Sequence, residues 1–328
     1  MKDPTVVVIT GASAGVGRAT AIKFAKRNAK IALLARGTQG LEGARRDVVA
    51  NGGEALVIPV DVADHTAIEN AAEAITDTWG KIDIWINCAM TTILAEFSDI
   101  TPQEFRRVTE VTYLGYVYGT MSALKRMMPL NRGKIVQVGS SLCYRGIPLQ
   151  SAYCGAKHAI KGFTESIRSE LMHNKCKITI SMVHLPAINT PQFLWSKNKM
   201  PRKHQPVPPI YQPELCADAV VWAATHKKRE ILVGFSTVKV LSLNKVFPGI
   251  IDIYLAKKGY DSQQYNGINE HKEDNLWNPV DKDYGSRGVF NEDSRTKDLL
   301  LQLSKLHALK LSIGALFTLM LLFSCRKK

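Results

Sequence analysis

Seven short apolar runs punctuate the first 235 residues. They are TVVVITG (5–11), KIALLAR (30–36), EALVIPVDV (54–62), IDIWINCA (82–89), GKIVQVGS (133–140), CKITISMVHL (176–185) and EILVG (230–234). Each is too short and too rich in Val and Ile for a buried helix, and each reads as a strand buried on both faces. Between them the apolar positions take helical spacing, in ATAIKFAKRNA (19–29) and over Gly40 to Asn51, His65 to Trp79, Pro102 to Met128 and Ser151 to His173. Continuous apolar strands alternating with amphipathic helices predict an α/β fold, a doubly wound parallel sheet of Rossmann type with helices on both faces.

The alternation ends near residue 235, which sets a first domain at 1–235. Polar, basic, Pro-rich SKNKMPRKHQPVPPIYQP (196–213) follows the sixth run, at the edge where open sheets place ligands. It reads as a substrate lid or as a surface loop. Residues 236–300 form a helical and irregular extension, with one helix over LNKVFPGIIDIYLAKKGY (243–260) broken at Pro248. This extension either folds over the substrate cleft or attaches the tail. Residues 301–328 make a C-terminal helix in which Leu311 to Cys325 carries no charge. That run is short for a bilayer span, which needs about twenty apolar residues. It reads as a short anchor, an interfacial helix or a dimerisation helix, and the expected location is a membrane surface with the catalytic domain facing the cytoplasm. If the tail is not an anchor, the protein is cytoplasmic.

Composition narrows the function classes. With 328 residues, 45% of them hydrophobic, the chain builds a substantial core. The net charge is +14, but the basic residues are scattered and not set among aromatics, which argues against nucleic acid. The charge suits a phosphate-rich cofactor or an anionic membrane. Six Cys stand without a CxxC pair or zinc spacing, so no metal is expected.

Candidate chemistry begins at TGASAGVG (10–17), between a predicted strand and a predicted helix. Gly11 permits a tight turn, Gly15 a close approach of backbone to a pyrophosphate, and Gly17 close packing of helix on sheet. The amides of the helix start would face the phosphates. The second run ends at Ala35 and Arg36, where an NAD site would carry a carboxylate. Arg36, with Arg18 beside the last glycine, suits a 2′-phosphate and points to NADP. Asp61 ends the third run and meets an adenine amino group or caps a turn.

Tyr153 and Lys157 lie one helical turn apart and face the same way. An ammonium near a phenol favours the phenolate, so Tyr153 is expected to have a lowered pKa and to serve as general acid and base. Ser140, at the end of the fifth run, would donate to the substrate oxygen.

TGxxxGxG, a strand ending in Asn, and Ser-x(12)-Tyr-x(3)-Lys together resemble the short-chain dehydrogenase/reductase family over residues 5–235. The matching residues are Thr10, Gly11, Gly15, Gly17, Asp61, Asn87, Ser140, Tyr153 and Lys157. The resemblance implies hydride exchange between an alcohol and a carbonyl, with Lys157 also holding the nicotinamide ribose. It extends the cofactor set to Ser13, Ala14, Val16, Val62, Ala89, Pro186 and Thr190, and it implies a homo-oligomer. Three positions depart from the family pattern. Met90 ends NCAM where the family has NNAG, Thr112 stands where it has a relay Asn, and Ala187 follows Pro186 in place of Gly. Leu142, Cys143, Tyr144, Leu149, Phe193, Leu194 and Trp195 either line a pocket for an apolar carbonyl or pack in the core. The expected activity is an NADP-dependent oxidoreductase acting on an apolar carbonyl or secondary alcohol. The alternative is an inactive NADP-binding scaffold.

Overall fold

The computed structural model describes residues 4–270, 273–280 and 282–305. All seven apolar runs enter one sheet, as β1 (Val6–Thr10), β2 (Lys30–Ala35), β3 (Glu54–Pro59), β4 (Ile84–Asn87), β5 (Lys134–Ser140), β6 (Thr179–Leu185) and β7 (Glu230–Leu232). Their order is β7-β6-β5-β4-β1-β2-β3, and every pairing is parallel. The order reverses between β1 and β4, which opens a crevice at the carboxyl ends of those strands.

Eleven α-helices cross between or follow the strands among the described residues. They are α1 (Gly15–Ala25), α2 (Thr38–Ala50), α3 (His65–Trp79), α4 (Pro102–Thr109), α5 (Gly115–Met127), α6 (Ser151–His173), α7 (Gln192–Trp195), α8 (Pro213–Thr225), α9 (Phe235–Val246), α10 (Pro248–Lys258) and α11 (Leu299–Lys305). Alternate residues of β1 serve opposite layers. Val7 and Ile9 pack with Phe24 of α1 and Val220 of α8. Val6 and Val8 pack with Ile68 of α3 and Ala123 of α5. Burial on both faces is why the strands read as unbroken apolar runs.

The segment predicted as one helix over 102–128 is interrupted by a π-helical turn, Glu110–Leu114. Its start is well specified: Thr101 and Glu104 form a capping box and Pro102 occupies the first turn. The π turn places Thr112 so that its hydroxyl accepts from Thr91 N at 3.0 Å and donates to Thr91 O at 2.8 Å. The predicted break at Pro248 separates α9 from α10, and α9 begins eight residues earlier than expected, at Phe235.

The Pro-rich segment holds short strands. Arg202–His204 pairs antiparallel with Gln264–Ile268, and Gln205 to Pro209 run along the crevice. Residues beyond 273 return across the carboxyl edge of the sheet. Asn275 N donates to Trp195 O (2.9 Å), Gly15 N to Gly285 O (3.2 Å) and Gly288 N to Asn189 O (3.1 Å). No helix among the described residues is long and apolar enough to cross a membrane. The anchor expected over Leu311 to Cys325 lies outside the described residues.

Asn87, at the end of β4, is fully buried and joins three elements. Its side-chain amide donates to Gln137 Oε1 (2.9 Å), Thr120 Oγ1 (3.1 Å) and Tyr116 O (3.3 Å), and its oxygen accepts from Trp85 Nε1 (2.8 Å). Replacing it by an apolar side chain strands those partners away from water. Asn87→Leu is expected to lower unfolding free energy by about 2–3 kcal/mol in urea titrations; a loss under about 0.5 kcal/mol would mean the network adds little.

Candidate active site

The glycine turn forms one wall of the crevice. Gly11 has φ +70°, and a Cβ there would lie 2.8 Å from Ala89 Cα. A Cβ on Gly17 would overlap the Gly11 carbonyl, so α1 packs directly on its own turn. Gly15 has φ +57° and sits against the Thr190 methyl. The N-cap of α1, Ala14, supplies no side-chain cap, and the first turn holds no acid. Gly15 N is taken by the Gly285 carbonyl, which leaves the next first-turn amides and the positive end of the helix dipole at the crevice, a fitting cradle for a pyrophosphate. Ser13, Ala14, Gly15, Val16 and Gly17 all line the cavity, as do Val62, Ala89, Pro186 and Thr190. Its volume is about 850 Å³, within the range of cofactor and small-molecule clefts.

The opposite wall brings Ser140, Tyr153 and Lys157 together at the end of β5 and the start of α6. The Ser140 hydroxyl accepts from Leu142 N at 3.1 Å and faces the Tyr153 phenol. Lys157 is buried. Its Nζ donates to Val138 O (2.9 Å) and Tyr116 Oη (3.1 Å) and lies 5.5 Å from the centre of the Tyr153 ring. Desolvation lowers the Lys157 pKa to about 8. Burial also pushes the Tyr153 phenol above its ordinary value, and the Ser140 bond pulls against that shift without reversing it. This corrects the expected downward shift. The ammonium sits over the ring, bonded to other groups, and loss of water around the phenol is the larger effect.

Several predicted cofactor residues stand behind the walls. The Thr10 hydroxyl accepts from Cys88 N (3.0 Å) and Ala89 N (3.2 Å), clamping β1 to the loop after β4. Asn87 is engaged as described, and Thr112 ties the π turn to Thr91. Arg18 is buried and pairs with Asp47 at 2.7 Å and with Asp283. Arg36 lines the cavity, but its guanidinium donates to Trp277 O (2.8 Å) and to Asn275 O. Asp61 lines the cavity too, while accepting from Ala63 N (3.0 Å) and pairing with Arg107. Arg107 in turn donates to Leu276 O at 3.0 Å. Residues 275–280 and 282–285 thus form a strap over the Arg36 and glycine-turn end of the crevice.

Of the expected apolar lining residues, Leu142, Phe193 and Trp195 face the cavity. Cys143 and Leu149 are buried behind it, and Leu194 is exposed. Tyr144 turns away to bond Glu230, which also meets His184 at 3.2 Å. His184 Nδ1 lies 3.3 Å from the Ser140 carbonyl. Sequence reasoning missed Tyr116, whose hydroxyl accepts from Lys157 and donates to Val138 O at 2.9 Å. It lies one turn after Thr112, and that spacing was the available signal. Also missed was the cavity lining supplied by α9, α10 and the residue between them, Val240, Ile251 and Phe247 among it.

Comparison with known proteins accords with this geometry. Residues 5–200 match the short chain dehydrogenase family, and the chain belongs to it. The chain is 33% identical over 270 residues to the uncharacterized oxidoreductase YxnA of Bacillus subtilis (strain 168), covering 80% of this chain and 74% of that one. It is 35% identical over 170 residues to human dehydrogenase/reductase SDR family member 7, about half of either chain. A 3-dehydrosphinganine reductase of Danio rerio is 30% identical over 223 residues, covering 66% of this chain and 67% of that one. A metagenomic short-chain oxidoreductase crystallised in complex with NADP has the same fold, with a TM-score of 0.60 at 24% identity, over 70% of this chain and 96% of that one.

The Lys157 environment sets a pH limb. Its ammonium is present below about pH 8 and is lost above it. Reductive kcat/KM is expected to be level near pH 7 and to fall as pH rises through 8. In Tyr116→Phe the ammonium loses one of its two acceptors, so the limb should move to lower pH, which a pH profile of kcat/KM reads. An unmoved limb would show that Tyr116 does not tune the lysine.

Proposed function

We propose that this protein is an NADP-dependent oxidoreductase that interconverts a carbonyl and a secondary alcohol on an apolar substrate at a membrane surface. The observation that carries the reading is one cleft with two walls: a glycine-lined helix start with no side-chain cap on one side, and Ser140, Tyr153 and Lys157 on the other. NADPH, when bound, supplies the hydride. The amides of Val16 and Gly17 would hold its phosphates, the Gly15 amide being engaged by the Gly285 carbonyl, and Lys157 would hold its ribose hydroxyls.

The chain's own residues handle the proton. A half-buried Tyr153 with a raised pKa keeps its proton at neutral pH and is an acid ready to donate to the substrate oxygen. Ser140 donates a hydrogen bond to the same oxygen and orients the carbonyl. As the proton leaves, negative charge grows on the phenol oxygen, and the nearby Lys157 ammonium stabilises it in a low-dielectric setting. The lysine therefore acts on the charge that develops, rather than lowering the resting pKa.

Three features support NADP: no carboxylate ends β2, Arg36 borders the cavity there, and the similar metagenomic enzyme was crystallised with NADP. Apolar side chains dominate the Ser140 end of the cleft, among them Leu142, Ile147, Phe193 and Phe247. The 3-dehydrosphinganine reductase among the relatives accords with an apolar carbonyl substrate.

Tyr153→Phe is expected to cut turnover of a bulky ketone by about a hundredfold or more while NADPH affinity stays nearly unchanged. Unchanged turnover would remove the mechanism. NADPH binding with no turnover across a broad carbonyl panel would instead support the scaffold reading. Arg36→Ala should weaken NADPH by about tenfold more than NADH in fluorescence titrations, as loss of a charged phosphate contact implies; equal weakening would end the 2′-phosphate role.

A further inference from the structure

The α9–α10 hairpin has two different sides. Its inner side, with Val240, Ile251 and Leu255, lines the cavity. Its outer side is bare. Seven large apolar residues within 235–258 are exposed, including Phe235 at 68%, Val246 at 63% and Ile253 at 60%. Single exposed apolar residues are ordinary, but a cluster of this kind marks an interaction surface. The spacing is that of helix faces: Phe235, Lys239, Leu243 and Val246 share one on α9, and Ile250, Ile253, Tyr254 and Lys257 share one on α10. Leu243, Phe247, Ile250 and Tyr254 are both exposed and part of the cavity lining. The bare surface therefore runs without a polar break into the cleft.

The charges around it are of one sign. Lys239, Lys245, Lys257 and Lys258 are exposed on the hairpin, and its one acid, Asp252, is paired with Arg145. Apolar faces fringed by lysine suit an anionic lipid surface. A second copy is a poor occupant, because a two-fold contact would set these lysines against each other and cover the cavity mouth. The course of the chain adds a second argument. Gly234, just before α9, donates to Asp298 at 2.8 Å, and Asp298 also binds the first turn of α11. Beyond α11, the sequence continues into the uncharged run Leu311 to Cys325. α9 and α11, the last described element before that run, thus start from one place on the fold.

We propose that the α9–α10 hairpin docks on an anionic lipid bilayer and forms the portal through which a membrane-dissolved carbonyl or alcohol reaches Ser140 and Tyr153. This rests on the reading above that the substrate is apolar. Val246 and Ile253 lie outside the cavity lining, so Val246→Glu/Ile253→Glu spoils the docking face while leaving the chemistry alone.

Amide hydrogen exchange of the full chain, with and without phosphatidylcholine/phosphatidylserine vesicles, tests the docking. Exchange over 235–258 should slow about tenfold with these vesicles, less with phosphatidylcholine alone, and not at all in the double variant. Protection of 235–258 already present without vesicles would overturn the proposal: if lost on dilution, a second copy is the occupant, and if independent of dilution, the chain's own C-terminal segment is. Absence of protection with vesicles would overturn it as well. In assays, the double variant should raise the apparent KM for a long-chain ketone in vesicles about tenfold and leave a water-soluble short ketone within about twofold. An equal rise for both would remove the portal. The exchange readout needs no turnover, so it stands apart from the oxidoreductase reading.

Discussion

A buried ammonium is the constraint around which the site is organised. Lys157 is 2% exposed, and a charge so far from water persists only with partners. The Val138 carbonyl and the Tyr116 hydroxyl provide them. Val138 belongs to β5 and Tyr116 to α5, while Lys157 rides on α6, so three elements must meet in register before the charge is tolerated. The same meeting brings Ser140 and Tyr153 to one wall of the cleft. Packing and chemistry are thus one requirement here. Burial costs the lysine part of its basicity and raises the phenol's pKa, and on the mechanism proposed here that leaves an acid which releases its proton only when a developing negative charge can be met.

Polar residues near the motif divide by task. Thr10, Asn87 and Thr112 face inward and knit backbone segments together. They hold the glycine turn, the end of β4 and the π turn in place, so that other atoms can face the cleft. A polar residue beside a strand end is a candidate ligand on spacing alone. Whether it reaches a ligand or its own scaffold depends on which backbone groups would otherwise be orphaned.

The extension beyond residue 235 gives the common core its particular character. Its strap, 275–280 and 282–285, bonds Arg36, Arg107, Arg18 and Gly15 and so closes one end of the crevice. Its hairpin, α9 and α10, shapes the other end and supplies the apolar lining. Two segments of modest sequence signal therefore define the two ends of the cavity, one at the glycine turn and one at Ser140.

The sequence by itself determined the strands of the sheet, the limits of α3 and α6, and the spacing of Ser140, Tyr153 and Lys157. Those features are local: strand burial on both faces demands unbroken Val and Ile, a helix repeats every 3.6 residues, and a turn that packs on a helix demands glycine. The tertiary structure alone decided that Arg36 meets backbone carbonyls some 240 residues away in sequence, that Tyr116 completes the lysine's shell, and that the outer face of α9–α10 is left bare. Each of these depends on which distant groups arrive at the same place. Solvation of a charge, or of an apolar face, is a property of that assembled neighbourhood and leaves no periodic trace in the chain.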